Sequence, residues 1–107
     1  MTEQEALADK LRECREYLGY TQEQVAAHLG VSRLSLCQAE TGRRRVPAVE
    51  LAKLAKLYQK PAGYFLGEEV EPAEWVAALS GTLDETDRQE ITKFAQFLAW
   101  RKMAKEG

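Results

Sequence analysis

Arg33, Leu34, Cys37 and Gln38 fall one, three and one residues apart, intervals that gather four side chains on one face of an α-helix. Two of the four carry the groups that read base edges in a DNA major groove. An arginine fork bonds guanine O6 and N7, and a glutamine amide pairs with adenine N6 and N7. Beyond this set, Arg43, Arg44 and Arg45 form the one dense basic cluster of the chain. A cationic run directly after such a face suits phosphate oxygens, each contact adding a salt-dependent increment of affinity by releasing counterions.

Catalytic chemistry has no comparable footing. The sequence holds no Gly-rich phosphate loop, no metal-ligand spacing and no local nucleophile–base pair, so no enzyme activity, cofactor or metal is expected. Cys14 and Cys37 are too few for a disulfide framework and form no CxxC pair, which fits a reduced cytoplasmic setting. Cys14 falls on a buried stripe and reads as core filler. Cys37 belongs to the reading face, where oxidation would alter the surface, but nothing around it signals a depressed thiol pKa. His28 is the sole histidine and has no Cys or His nearby, so it reads as a surface residue.

The elements that must hold these residues are helices. Thr21 and Gln24 form a capping box for a short helix from Gln22 to Leu29, and Gly30 ends it. Ser32 caps a second helix from Arg33 to Glu40 or Thr41, which Gly42 ends. Gly30-Val31-Ser32 is too tight a link for antiparallel packing, so the two helices must cross steeply, the arrangement of a helix-turn-helix. Ala26 supplies the small residue where they approach, and Val31, Leu36 and Ala39 supply apolar contacts. Before this pair, a helix from about residue 4 to 18 carries Leu7, Leu11, Cys14 and Leu18 on one face. After it, Pro47 opens a helix with Val49, Leu51, Ala52, Leu54, Ala55 and Tyr58 as its apolar face, and Pro61 opens a short one through Leu66. Past Gly67 an acidic connector leads to a sixth helix from Pro72, bearing Trp75, Val76 and Leu79. Ser80-Gly81 breaks it, and Thr82 or Asp84 caps a last helix to about Ala104. The acidic cluster of Asp84, Glu85 and Asp87 is accounted for by capping and by the helix dipole.

The stretch TQEQVAAHLGVSRLSLCQAETGRRRVPAVELAKLAKLY resembles the xenobiotic-response-element/Cro family of helix-turn-helix regulators. The likeness covers roughly residues 4–66 and includes the Thr-Gln helix opening, Gly-Val-Ser at the turn, Glu-x-Gly after the second helix and Pro-x-x-x-Leu opening the fourth. It implies an all-α fold: a five-helix, phage-repressor-like DNA-binding domain over residues 1–67, with a C-terminal helical extension over 68–107. It further implies that Arg33, Leu34, Cys37 and Gln38 face the bases, and that Gln22, Ser35, Thr41 and Arg43 lie near phosphates. An ion pair between Arg15 and Glu40, tying the first helix to the end of the third, is implied as well. Leu34 and Cys37 depart from the polar residues common at their positions. Leu34 can meet a thymine methyl but Cys37 bonds weakly, so readout rests on Arg33 and Gln38.

The formal charge of −2 hides a polarised chain. Residues 1–66 carry ten Lys/Arg against eight Asp/Glu, and residues 67–107 carry five against nine, so the basic part coincides with the expected DNA face. No apolar run reaches the roughly 18 residues of a membrane span. The acidic start, Met1 to Glu5, does not read as a signal peptide, and a cytoplasmic location is expected. On the last helix Ile91, Phe94, Ala95 and Leu98 follow one stripe, Phe97 widens it, and Trp100 lies toward the opposite side. So broad a distribution predicts that one edge packs internally while the other, with Ile91, Phe94, Phe97, Leu98 and Trp100, pairs with a second chain. The expected function is a sequence-specific regulator, a repressor on a palindromic operator, acting as a homodimer on double-stranded DNA. The alternatives are an antitoxin-type autoregulator whose C-terminal helices bind a partner protein, and an interaction adaptor without DNA binding.

Overall fold

The computed structural model describes residues 1–79 and 83–106, which form seven helices and no strand. These are α1 (Glu3–Tyr17), α2 (Gln22–Leu29), α3 (Arg33–Glu40), α4 (Ala48–Tyr58), α5 (Ala62–Phe65), α6 (Pro72–Ala78) and α7 (Glu85–Glu106). The all-α class expected from the helical patterning is therefore the one observed. None of the helices among the described residues is long and apolar enough to cross a membrane.

Local capping sets most of the boundaries. Thr2 Oγ1 accepts the Glu5 N–H at 3.1 Å at the start of α1. The capping box of α2 is complete, with Gln24 N–H on Thr21 Oγ1 at 3.1 Å and Thr21 N–H on Gln24 Oε1 at 2.9 Å. Ser32 Oγ accepts the Ser35 N–H at 3.0 Å to open α3. At the head of α7, Asp84 Oδ1 accepts the Asp87 N–H at 2.8 Å, and Asp87 Oδ2 accepts the Asp84 N–H at 3.3 Å. Asp84 is thus a cap; Thr82, with Ser80 and Gly81, lies outside the described residues.

The core is a single cluster built where α1 to α5 meet, with Leu11, Val25, Leu36, Leu54, Tyr58 and Phe65 among its most buried members. Cys14 joins it from α1. Leu18 does not belong to the buried stripe of α1, because the helix ends at Tyr17 and Leu18 is left exposed. The apolar face of α4 is narrower than the sequence predicts. Leu51, Leu54, Ala55 and Tyr58 are buried, but Val49 and Ala52 face solvent. Those four recur at i, i+3, i+4 and i+7, the one stripe a helix can lay against its neighbours.

Beyond α5 the packing thins. α6 buries no residue completely, and its main anchor is Trp75, whose ring stands edge-on to Tyr64 with centroids 5.6 Å apart. Lys60 Nζ sits over both rings, 5.3 Å from Tyr64 and 5.4 Å from Trp75. On α7 every residue from Thr92 to Lys105 is exposed. Of the apolar stripe predicted to pack in part internally, Ile91 is half-buried, and the side chains from Phe94 onward stay open to solvent among the described residues; Phe97 and Trp100 lie 6.3 Å apart along the helix.

Candidate nucleic-acid interface

The α2–α3 unit presents the predicted face. Gly30 takes φ +74°, a left-handed conformation that costs glycine no Cβ clash, and this lets the chain reverse out of α2. The Val31 N–H then bonds Ala26 O at 3.0 Å, closing the end of the helix. From that turn α3 buries Leu36, Ala39 and Glu40, each at 2% exposure or less. The opposite side is left open: Arg33 and Leu34 are exposed, and Cys37 and Gln38 are half-buried. Arg33 Nε lies 3.2 Å from Glu23 Oε1 of α2, both side chains about two-thirds exposed. A surface pair of that kind holds the guanidinium weakly and is readily exchanged.

What fixes α3 from behind is a buried charge. Glu40, 1% exposed, accepts Arg15 Nε on Oε2 at 2.7 Å and the Gln22 amide on Oε1 at 3.2 Å. Arg15 also donates to Tyr20 O at 3.0 Å. Its hydrogen bond to Glu40 raises the guanidinium pKa above the usual value, with burial opposing. One carboxylate thereby links α1, α2 and α3. Tyr58 is buried nearby with its hydroxyl unpartnered, and its pKa is pushed up by burial first and then by the charge of Glu40.

Three residues expected near phosphates make hydrogen bonds within the fold. Gln22 opens α2, but its amide is turned onto Glu40. The Thr41 hydroxyl donates back to Cys37 O at 2.9 Å, so its proton seals the end of α3. Arg44 turns inward: its Nε donates to Ser35 O at 2.7 Å, and its Nη1 donates to Arg45 O at 3.0 Å and faces Glu50 Oε2 at 3.0 Å. Arg44 is thus a brace between α3 and the start of α4, and the basic run divides by orientation. Arg43 and Arg45 remain exposed, and no ion pair among the described residues uses them. Ser35 is half-buried; its backbone carries the cap and the Arg44 bond.

Some supports had no sequence signal of their own. Gln4 donates to Gly42 O at 2.8 Å, clamping the first turn of α1 on the loop after α3. Gly42 has φ +76°, and a Cβ there would meet Glu5 Cγ at 3.3 Å, so the close approach needs glycine. The two thiols differ as their positions imply. Cys14 is buried and burial raises its pKa, whereas Cys37 is half-exposed at the face of α3. His28 is exposed.

A short capped helix, a three-residue turn and a second helix with its outer side free, braced by a third element, define a helix-turn-helix protein. The chain belongs to the helix-turn-helix domain family, which it matches over residues 6–62, and the likeness to xenobiotic-response-element/Cro regulators stands on that footing. It is 32% identical over 81 residues to the HTH-type transcriptional regulator ImmR of Bacillus subtilis, a match spanning 75% of this chain and 64% of that relative. Among solved structures it is similar to the restriction-modification controller protein C.AhdI from Aeromonas hydrophila, at 30% identity and a TM-score of 0.45, covering 66% of this chain and 92% of that one. It is also similar to the clp gene regulator ClgR from C. glutamicum, at 27% identity and a TM-score of 0.49, covering 79% of this chain and 97% of that one.

Proposed function

We propose that this protein is a DNA-binding transcriptional regulator that reads the major groove through α3 and acts as a homodimer joined by α7. The observation that carries the reading is the two-sided character of α3. Its inner side is buried and anchored by Glu40, while Arg33, Leu34, Cys37 and Gln38 form an outer side, exposed at Arg33 and Leu34 and half-buried at Cys37 and Gln38. A helix held that firmly from behind is a rigid probe for a groove, and its polar members match guanine and adenine edges. Arg43 and Arg45 supply the phosphate contacts; Arg44, Gln22 and Thr41 act by holding the elements that carry them.

Dimerisation follows from two needs. One short helix covers only a few base pairs, so specificity calls for two copies on a palindrome with half-sites about 34 Å apart. The exposed apolar side chains of α7, Phe94, Phe97, Leu98 and Trp100 with Ile91 half-buried, call for a partner surface. Repression is the form of regulation proposed, since blocking a promoter requires only occupancy of the operator. The membership in a helix-turn-helix family and the likeness to a transcriptional regulator support the reading.

The test is a random-library DNA selection with the purified chain, followed by affinity for the winning site at two salt concentrations. A palindromic winner with half-sites one turn apart, bound far more tightly than scrambled DNA and weakened by salt, is the expected result. Weak binding without enrichment would overturn the proposal and point to a protein target.

A further inference from the structure

The homodimer proposed above leaves open how two copies of α7 meet, and the charge order of the helix selects an answer. Residues 84–90 carry four carboxylates and one arginine, whereas residues 91–105 carry four cations and no carboxylate. The helix dipole also favours acid first and base last, but its influence fades beyond the first and last turn. Glu90 lies past the first turn of Glu85–Glu106, and Arg101 lies before the last. Both are exposed, and neither enters an ion pair among the described residues.

The charges also share a side with the apolar residues. Asp87 and Glu90 line one shallow groove with Leu83, Ile91 and Phe94. At about 100° per residue, Arg101 and Lys105 continue the same side past Phe94 and Leu98. Along one face the order is therefore acidic, apolar, basic.

We infer that α7 pairs antiparallel with α7 of a second copy of this chain, the twofold axis crossing the pair at the level midway between positions 95 and 96. In that register Glu90 of each copy meets Arg101 of the other, and Phe94 of each meets Phe97. A parallel pair would instead set Glu90 on Glu90 and Arg101 on Arg101, a like-charge arrangement that is unfavourable.

The test measures self-association of the full chain by sedimentation equilibrium for the wild type, Glu90→Lys, Arg101→Glu and an equimolar mixture of the two variants. Antiparallel pairing predicts a dimeric wild type, about ten-fold weaker self-association for either variant because symmetry makes each change act twice, and recovery in the mixture as a heterodimer. The recovery excludes misfolding as the cause of the loss. Variants that dimerise like the wild type, or a mixture that fails to recover, would overturn the antiparallel inference while leaving the homodimer standing. A monomeric wild type would overturn the homodimer itself.

Discussion

Glu40 is the side chain on which the reading face most depends. It is a buried carboxylate with two partners from different helices, and removing either side of such a pair leaves a charge uncompensated. Glu40→Ala and Arg15→Met are each expected to cost about 3–5 kcal/mol, read as a lowered midpoint in urea. A loss below 1 kcal/mol would mean that α3 is held by apolar packing alone. Tyr58 poses the opposite case, a buried hydroxyl without a partner. Below its ordinary pKa of about 10 the folded and unfolded chains both keep the proton, and stability does not respond to pH through this group. Above that value the unfolded chain ionises first, because burial raises the folded pKa, and stability falls as pH rises. Tyr58→Phe is expected to lessen that decline between pH 9 and 11 and to leave neutral stability unchanged or improved, measured by thermal melts. The thiols give a simpler comparison. Cys37 is expected to react with a thiol reagent well before Cys14, whose burial both shields it and disfavours the thiolate; equal rates by mass spectrometry would contradict the burial of α1.

α3 works as a unit whose two sides have separate duties. Arg33→Ala and Gln38→Ala are expected to relax preference at defined base positions, costing roughly 1–3 kcal/mol each on the cognate site. Arg43→Ala is expected to weaken all sequences about equally and to lower the salt slope by about one, while Arg44→Ala acts through stability because its Nε and Nη1 are engaged inside the fold. Equal behaviour of Arg33, Gln38 and Arg43 variants in quantitative binding assays would remove the distinction between reading and phosphate contact. The turns flanking α3 can be ranked in the same way. Both Gly30 and Gly42 have positive φ, but an added Cβ at Gly30 meets nothing within 4 Å, and at Gly42 it meets Glu5. Alanine is therefore expected to cost about 1–2 kcal/mol at Gly30 from backbone strain and more at Gly42.

For the protein as a body, all the buried hydrophobic residues of the described chain lie between Ala8 and Phe65. Residues 1–67 are expected to fold without the rest, with a cooperative melt, but to be monomeric and to bind a full palindrome far more weakly than the whole chain. A truncated chain that still dimerises would relocate the interface to α1–α5. The polarity of charge has a matching consequence: the acidic part from residue 67 onward follows, along the chain, a part whose net charge is only slightly positive. Affinity thus depends on where cations point rather than on their number.

The caps, the periodic stripes and the placement of glycine and proline were enough to read α1 to α5 and the link that makes α2 and α3 a helix-turn-helix. These are local signals, since a cap or a left-handed turn is decided within a few residues of chain. The outward position of Arg33 and Leu34 follows from the same periodicity, because Leu36 and Ala39 claim the inner side. The fate of long polar side chains could not be read that way. Arg43, Arg44 and Arg45 are identical in type, and only the approach of Ser35 and Glu50 turns Arg44 inward. The Gln22 amide likewise bonds Glu40, a carboxylate brought to it by packing, whereas the Thr41 hydroxyl bonds Cys37 O one turn back in its own helix. On α7 the sequence disclosed apolar surface in need of cover, and the tertiary structure decided that, among the described residues, the side chains from Thr92 to Lys105 stay exposed. A hydrophobic stripe specifies that water must be excluded and, being non-directional, does not specify by what.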